Sequence, residues 1–312
     1  MVQLKQAIDI LEQQNLLSFA TETVYGLGAD ATNSDAVLKI YEAKGRPSFN
    51  PLICHVADLD IISSYAHMTD LDRLLAQAFW PGPMTLILDL LPNSGLSDLV
   101  TAGLKTVGIR IPSNDSALAL LKAFGKPVAA PSANISGSIS PTTAEHVRSN
   151  FGDKIALLDG DDPHIGIEST ILRVQADGII ILRHGAITRE MVENITGKNC
   201  FERNIDEGIN APGQLASHYA PKASVKLNAT AVEGDICVID FAGQLSAQIN
   251  THPYKDLSPI GDLNEAAKNL FSTLHEMDKI DKNIIVAPIP MSGIGEGIND
   301  RLTRAAAPKD TR

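Results

Sequence analysis

The sequence predicts a mixed α/β chain in two units, a larger one over residues 1–199 and a smaller one over 225–312, with a linker over 200–224. Three observations predict it. Apolar runs of strand length recur through the larger part, and helix-like segments fall between only some of them, so it is not a cleanly doubly wound sheet. After about Thr196 the sequence turns polar, carries Gly and Pro, and holds no sustained period. Beyond that, strand, helix, strand and helix patterns follow one another, as in a small Rossmann-like module.

The elements can be justified in order. Leu4, Ile8 and Leu11 share one helical face, and Lys5, Asp9 and Glu12 interrupt any signal-type apolar run. The strand candidates are LLSFA, LICHV, TLILDLL, VGIRI, PVAAP, KIALLD, STILRV and GIIILR. Tyr25-Gly26-Leu27-Gly28 reads as a turn. Asn33 or Ser34 caps a helix running to Ala43, Ser113 or Asn114 caps one running to Phe124, and Thr142 with Glu145 reads as a capping box. In the smaller unit SVKL, DICVIDF and NIIVAPIP are strands. Leu263, Ala267, Leu270, Leu274 and Met277 lie at helical spacing, and NDRLTRAA is a last helix.

Composition narrows the function. The chain has 312 residues, 44% of them hydrophobic, with a mean hydropathy of +0.02, enough for a substantial core. A net charge of −11 and 4% aromatics argue against nucleic-acid binding and against an anionic membrane surface. Cys54, Cys200 and Cys237 lie far apart, which argues against a disulfide framework or a cysteine-rich zinc site. No stretch approaches transmembrane length. The expectation is a soluble, reduced, intracellular protein.

Two motifs are decoys. SGIGEGIND follows a strand and opens a helix, but its glycines are spaced G-x-G-x-G, and the chain ends before an acidic residue could follow at dinucleotide-site spacing. A tight strand-to-helix turn explains it better. HEMDK at His275 lacks the second histidine of a zinc-protease helix and lies inside an amphipathic pattern.

A different set carries chemistry. Lys44-Gly45-Arg46 taken alone is a pair of solvated cations at a helix end. Followed by Pro47, Ser48, Asn50 and a strand holding His55, it suits a polyphosphate, with an arginine fork beside a lysine point charge. VAAPSANISGSISPT ends a strand in small residues and offers Ser132, Asn134, Ser136, Ser138 and Ser140 as uncharged hydrogen-bonding groups. TVGIRIP buries Arg110, which must meet a carboxylate of the protein or of a ligand. His55 has the same two explanations, and a satisfied core histidine is the commoner one. Glu168, Ser169 and Thr170 precede a strand, and Arg183 ends one. Cations and hydroxyls of this kind act through position and charge.

In this order, TETVYGLG, KGRP…NPL, RIP, APSANISG…SPT, ESTI and LRHGAIT resemble the threonylcarbamoyl-AMP synthase family. The linker APGQLASHYAPK and the C-terminal module resemble its long, two-domain form. The resemblance implies an α/β fold: a YrdC-like twisted mixed sheet with flanking helices around a concave, positive cavity, plus a small Rossmann-like C-terminal domain. It implies a nucleotidyltransferase that forms L-threonylcarbamoyladenylate and pyrophosphate from L-threonine, bicarbonate and ATP, with Mg2+ accompanying ATP, for threonylcarbamoyladenosine modification of tRNA. It places Thr23, His55, Arg110 and Ser169 at L-threonine. It places Lys44, Arg46, Asn50, Thr106, Ser132, Asn134, Ser140 and Arg183 at ATP, Lys44 and Arg46 being catalytic, and gives Tyr219 of the linker nucleotide contact or gating. No protein metal ligand is implied. The expected partner is the tRNA threonylcarbamoyl transferase complex by hand-off, with no stable nucleic-acid binding, no membrane and a cytoplasmic location. The family has Pro where this chain has Ala20, and Arg-Pro-Gly where this chain has Arg183-His184-Gly185. The related carbamoyl-transfer protein of hydrogenase maturation carries cysteine-rich zinc-binding segments that this chain lacks.

Overall fold

The computed structural model describes residues 1–203, 211, 218–280 and 282–308. The larger unit contains, in chain order, α1 (Leu4–Glu12), β1 (Leu17–Ala20), β2 (Tyr25–Asp30), α2 (Ser34–Lys44), β3 (Ile53–His55), β4 (Ala66–His67), α3 (Asp70–Phe79), β5 (Met84–Leu90), α4 (Asp98–Thr101) and β6 (Thr106–Arg110). It continues through α5 (Asp115–Phe124), β7 (Val128–Ala129), α6 (Ala144–Phe151), β8 (Ala156–Leu157), β9 (Thr170–Gln175), β10 (Gly178–Arg183), α7 (Arg189–Thr196) and β11 (Cys200–Glu202). The strands form one mixed sheet in the order β11-β10-β9-β5-β6-β3-β7-β2-β1-β8, with β4 paired to β5.

Strand alternation gives this sheet two different faces. Cys54, Leu86 and Ile109 point into the main core with Val37, Ile40 and Leu75 from α2 and α3. Their neighbours Ile53 and Ile87 face the other way, where they pack with Ile171, Leu182 and Ala211. Register then builds the site. β3 and β6 run parallel with His55 opposite Arg110, and β5 and β9 run parallel with Met84 opposite Thr170. Neighbouring strand ends therefore bring His55, Arg110 and Ser169 together. A register irregularity between Ile181 and Arg183 re-aims the last residue of β10.

The smaller unit is a parallel sheet in the order β12 (Val225–Lys226), β15 (Ile284–Val286), β13 (Cys237–Asp240), β14 (Tyr254–Asp256), flanked by α8 (Leu263–Asp278) and α9 (Ile294–Ala306). It shares one apolar cluster with the larger unit. Val24, Ile139 and Ile167 pack with Leu270, Leu274, Ile298 and Leu302. Gly166 sits at φ +87°, and a Cβ there would lie 2.4 Å from the Lys268 backbone, so the loop before β9 presses directly onto α8.

Several expectations need correction. Tyr25-Gly26-Leu27-Gly28 is strand β2, not a turn. Its glycine is required by proximity: a Cβ on Gly28 would meet Phe19 at 2.7 Å and Val128 at 2.9 Å. Thr143, not Thr142, caps α6, accepting from the His146 N–H, and Glu145 closes no capping box. Cys200–Glu202, read as the start of the linker, form a strand paired in parallel with β10. Of the expected linker, residues 204–210 and 212–217 lie outside the described residues. The last helix begins at Ile294, inside the glycine-rich decoy. Gly295 is needed there because a Cβ would fall 2.0 Å from the Pro290 carbonyl oxygen.

Candidate active site

The Thr21–Val24 segment joins β1 to β2 and forms one wall. Thr21 donates to the Val24 carbonyl at 2.8 Å, so the 2.8 Å contact between the two threonine hydroxyls is donated by Thr23. Thr23 in turn accepts from Arg110 Nη2 at 3.0 Å. The same Nη2 meets Glu22 Oε1 at 2.7 Å, and the Ser113 N–H donates to Glu22 Oε2 at 3.0 Å. The buried Arg110 thus has a carboxylate partner within the protein. Its Nε has none among the described residues, and neither does His55 Nδ1. Both side chains line the cleft. Burial, then the Arg110 charge, pushes the His55 pKa down to about 3, so it stays neutral.

The cations form the second wall. Gly45 ends α2 at φ 58°, between Lys44 and Arg46. Lys44 Nζ donates to the Ser132 carbonyl at 2.6 Å and the Asn134 carbonyl at 2.5 Å. Arg46 donates to the Asn50 carbonyl at 3.1 Å and the Pro51 carbonyl at 2.8 Å. Arg183 donates through Nε to the Ser169 carbonyl and through Nη2 to its hydroxyl, both at 3.0 Å. Burial lowers the pKa of all three, Arg46 to about 10, and each is also lowered by a neighbouring arginine. Such a cluster lacks enough negative charge of its own. The Asn50 side-chain amide is fully buried, and among the described residues neither its nitrogen nor its oxygen has a partner, nor does Asn134 Oδ1. Buried polar atoms are ordinarily paired, so an unpaired group beside buried cations points to a polar, anionic ligand.

Glu168 connects the walls to the rest of the molecule. Its Oε1 accepts from Ser140 at 2.5 Å and its Oε2 from Arg301 Nε at 3.0 Å. Burial alone would raise its pKa, but Arg301, Arg183 and the Ser140 hydrogen bond outweigh that and leave it below the usual carboxylate value. His218 and Tyr219 cover the cleft from the linker side. Tyr219 is fully buried at φ 60°, its ring lies tilted 5.3 Å from that of Phe271, and its hydroxyl has no partner among the described residues. With these two rings in place the cleft holds only about 50 Å³, against roughly 300–1,000 Å³ for ordinary ligand pockets.

The structure brings most of the expected site residues together. Arg46, His55, Arg110, Ser132, Arg183 and Tyr219 line the cleft. Thr23, Lys44, Asn50, Asn134, Ser140 and Ser169 stand directly behind it, each bonded to or neighbouring a lining residue. Thr106 is apart. It begins β6, four residues from Arg110 on the same face, or about 13 Å at strand rise. His184 turns outward, Nε2 to Glu202 at 3.1 Å and Nδ1 to Glu296 at 2.9 Å, rather than toward the nucleotide side. Sequence reasoning missed Thr21, Glu22, His218 and Arg301. The TET motif held the signal for the first two. Nothing in NDRLTRAA distinguished Arg301 from a solvated helix arginine.

Comparison with known proteins agrees with the geometry. Residues 9–185 match the family model described as "Telomere recombination", and residues 187–307 match "Threonylcarbamoyl-AMP synthase, C-terminal domain". The chain is 39% identical to the threonylcarbamoyl-AMP synthase of Bacillus subtilis strain 168, over 97% of this chain and 93% of that one. It is 36% identical to that of Pyrococcus abyssi, over 96% and 93%. The crystal structure of P. abyssi Sua5 complexed with L-threonine superposes with a TM-score of 0.87 at 34% identity, covering 97% of this chain and 94% of that one. The likeness to T. kodakarensis HypF, at 17% identity and a TM-score of 0.52, is one of fold alone.

Proposed function

We infer the activity from one premise: the chain belongs to the threonylcarbamoyl-AMP synthase family, in its two-domain form. It makes threonylcarbamoyl-AMP, an intermediate of tRNA modification, and L-threonine is its amino-acid substrate. We further propose that ATP and bicarbonate are the other substrates and pyrophosphate the second product, which makes the enzyme a nucleotidyltransferase. The observation that carries the two-substrate reading is the division of buried atoms that have no partner among the described residues. Arg110 Nε and His55 Nδ1 lie at one wall, and the Asn50 amide and Asn134 Oδ1 lie beside the cations at the other.

In this reading Arg110, paired with Glu22 through Nη2, offers its Nε–H to the threonine carboxylate, while Thr23 and the neutral His55 fix the amino acid. Lys44, Arg46 and Arg183 face the triphosphate, with Asn50, Ser132, Asn134 and Tyr219 supplying uncharged contacts. Ser140 and Ser169 act indirectly, through Glu168 and Arg183. The threonine amine and bicarbonate condense to a carbamate with loss of water. A carbamate oxygen then bonds to the α-phosphorus as its bond to the β-phosphate oxygen breaks. Charge passes to pyrophosphate, and the three cations, preorganised on backbone carbonyls, stabilise it as it develops. Magnesium would arrive on the phosphate oxygens with water completing its shell. Among the described residues no cluster of three or more His, Cys, Asp or Glu could hold it. The linker rings must withdraw to admit ATP and can close again to shield the labile anhydride from water. Hand-off to a tRNA threonylcarbamoyl transferase complex in the cytoplasm, without stable binding of nucleic acid by this chain, follows from the same reading.

The test is pyrophosphate release by the purified chain with MgATP and bicarbonate, with L-threonine, with serine, or with neither. Labelled bicarbonate follows the carbon in parallel. Threonine-dependent release with the label in a nucleotide product is expected. Release that ignores threonine would reject the second substrate, and an unlabelled product would reject bicarbonate.

A further inference from the structure

The small unit brings to the cleft region a charged side chain that no part of the mechanism above uses. Arg301, on α9, is fully buried. Its Nε meets Glu168 Oε2 at 3.0 Å, its Nη2 meets the Glu168 carbonyl at 3.3 Å, and its Nη1 donates to the His184 carbonyl. The Tyr219 ring lies 5.7 Å from the guanidinium carbon. One arginine therefore grips the side chain and backbone of Glu168, the end of β10 and the linker aromatic together. Its placement is built in. One helical turn earlier, Gly297 lets α9 approach so closely that a Cβ there would lie 3.3 Å from Gly185 and 3.0 Å from Ile167.

Glu168 is a carboxylate among cations that have to receive a polyanion. It lines the cleft, and its field reaches Lys44 and Arg183. Held by Arg301 and Ser140, it has both oxygens occupied. Released, it would turn toward the nearest cations, and in a water-poor cleft a carboxylate competes directly with phosphate for them.

We propose that Arg301 is a positioning residue for the synthase reaction: by holding Glu168, the C-terminal unit keeps Lys44 and Arg183 open to the triphosphate. The proposal rests on the ATP-dependent reading above. It makes the small unit part of the nucleotide site, although no residue of α8 or α9 lines the cleft.

The full-length chain carries the test, as wild type, Arg301→Met, Arg301→Lys, Glu168→Gln and Arg301→Met with Glu168→Gln. ATP affinity is measured calorimetrically with magnesium, the KM values for ATP and L-threonine from initial rates, and the Tm of each variant in parallel. Arg301→Met should weaken ATP about tenfold in both Kd and KM and leave the threonine KM within about twofold. Arg301→Lys, with a point charge but no fork, should fall between. Removing the freed charge with Glu168→Gln should return ATP affinity to within about threefold of wild type. An Arg301→Met chain that binds ATP as wild type does would overturn the proposal. So would a double variant no better than Arg301→Met, since a purely structural loss is not repaired by neutralising Glu168. Should Arg301→Met fail to fold, Arg301→Lys with and without Glu168→Gln decides the same point. A wild type that releases no pyrophosphate with threonine would sink the activity reading, while the ATP affinities would still judge Arg301.

Discussion

Two buried arginine–carboxylate pairs frame this cleft, and they do different things. Arg110 and Glu22 meet at 2.7 Å within the larger unit; Arg301 and Glu168 meet at 3.0 Å between the units. Burying a charge pair contributes little net stability in itself, so the useful question is which hydrogen-bonding positions each pair leaves over. Arg301 uses every nitrogen on the protein. Arg110 lines the cleft and keeps Nε without a partner among the described residues. The Arg301 pair is closed and holds Glu168 in place. The Arg110 pair is open on one side, which is the condition for binding a ligand.

Arg110→Ala should separate them most sharply. It removes the open nitrogen and strands Glu22 in the interior, a loss that typically costs 2–5 kcal/mol. Threonine-dependent pyrophosphate release should fall by about 10²–10³-fold in kcat/KM for threonine, with ATP affinity retained. Equal loss of ATP and threonine binding would show that Arg110 serves architecture rather than threonine.

Asn50→Ala carries the comparison to the cation wall. The Asn50 amide is buried with no partner among the described residues, so removing it should leave the ligand-free Tm unchanged or slightly higher, because an unsatisfied polar group disappears. The same change should weaken ATP by about tenfold and shrink the Tm increase that saturating ATP produces. A ligand-free chain destabilised by more than about 2 kcal/mol would mean the amide is satisfied in solution and the atom was misjudged as a ligand contact.

What the sequence disclosed follows the same division. Arg110 was legible because it stands in a Val- and Ile-rich strand, where an unpaired cation is physically awkward, and Lys44 and Arg46 because they precede a polar, Pro-broken turn into a strand. Their ordered motifs identified the fold of both units. Arg301 was illegible because arginine near the end of an amphipathic helix is ordinary, and only the approach of α9 to Gly185 makes it interior. One glycine misled: Gly28 read as part of a turn, yet it marks the close approach of β2 to Phe19 on β1 and Val128 on β7. Thr106 carried a motif position without the geometry, since strand rise places it at the far end of β6.

Gly297→Val should reproduce a weaker version of the Arg301 defect without touching either pair. The new side chain would push against Gly185 and Ile167 and lift α9, so the Tm should fall by several degrees and ATP KM should rise about threefold, with the threonine KM steady. If threonine KM rose alongside ATP KM, displacement of α9 would be reaching the Arg110 wall too, and the two pairs would not be separable.

Acid offers the gentlest probe, because arginines do not titrate and the histidines near both pairs do. Burial, ahead of any charge, pushes His55, His146 and His218 down to about 3. His55 faces Arg110; His218 faces Glu168, Arg46, Lys44 and Arg183; His146 stacks 3.9 Å from His275, across the two units, with Lys279 nearby. In the unfolded chain each takes a proton near pH 6.5, whereas in the fold each resists until about pH 3, so the unfolded state binds more protons in between. Stability should therefore decline as pH drops below about 6.5 and go on declining toward 3, each histidine contributing at most about 1.4 kcal/mol per pH unit. His146→Gln removes one of these protons at the junction of the units. Burial pushes His275 down as well, so the fall in Tm from pH 7 to 5 should become shallower in that variant by roughly one histidine's share. A slope identical to wild type would mean that His146 already exchanges its proton in the folded state, and that the junction holding Arg301 is wetter than its packing indicates.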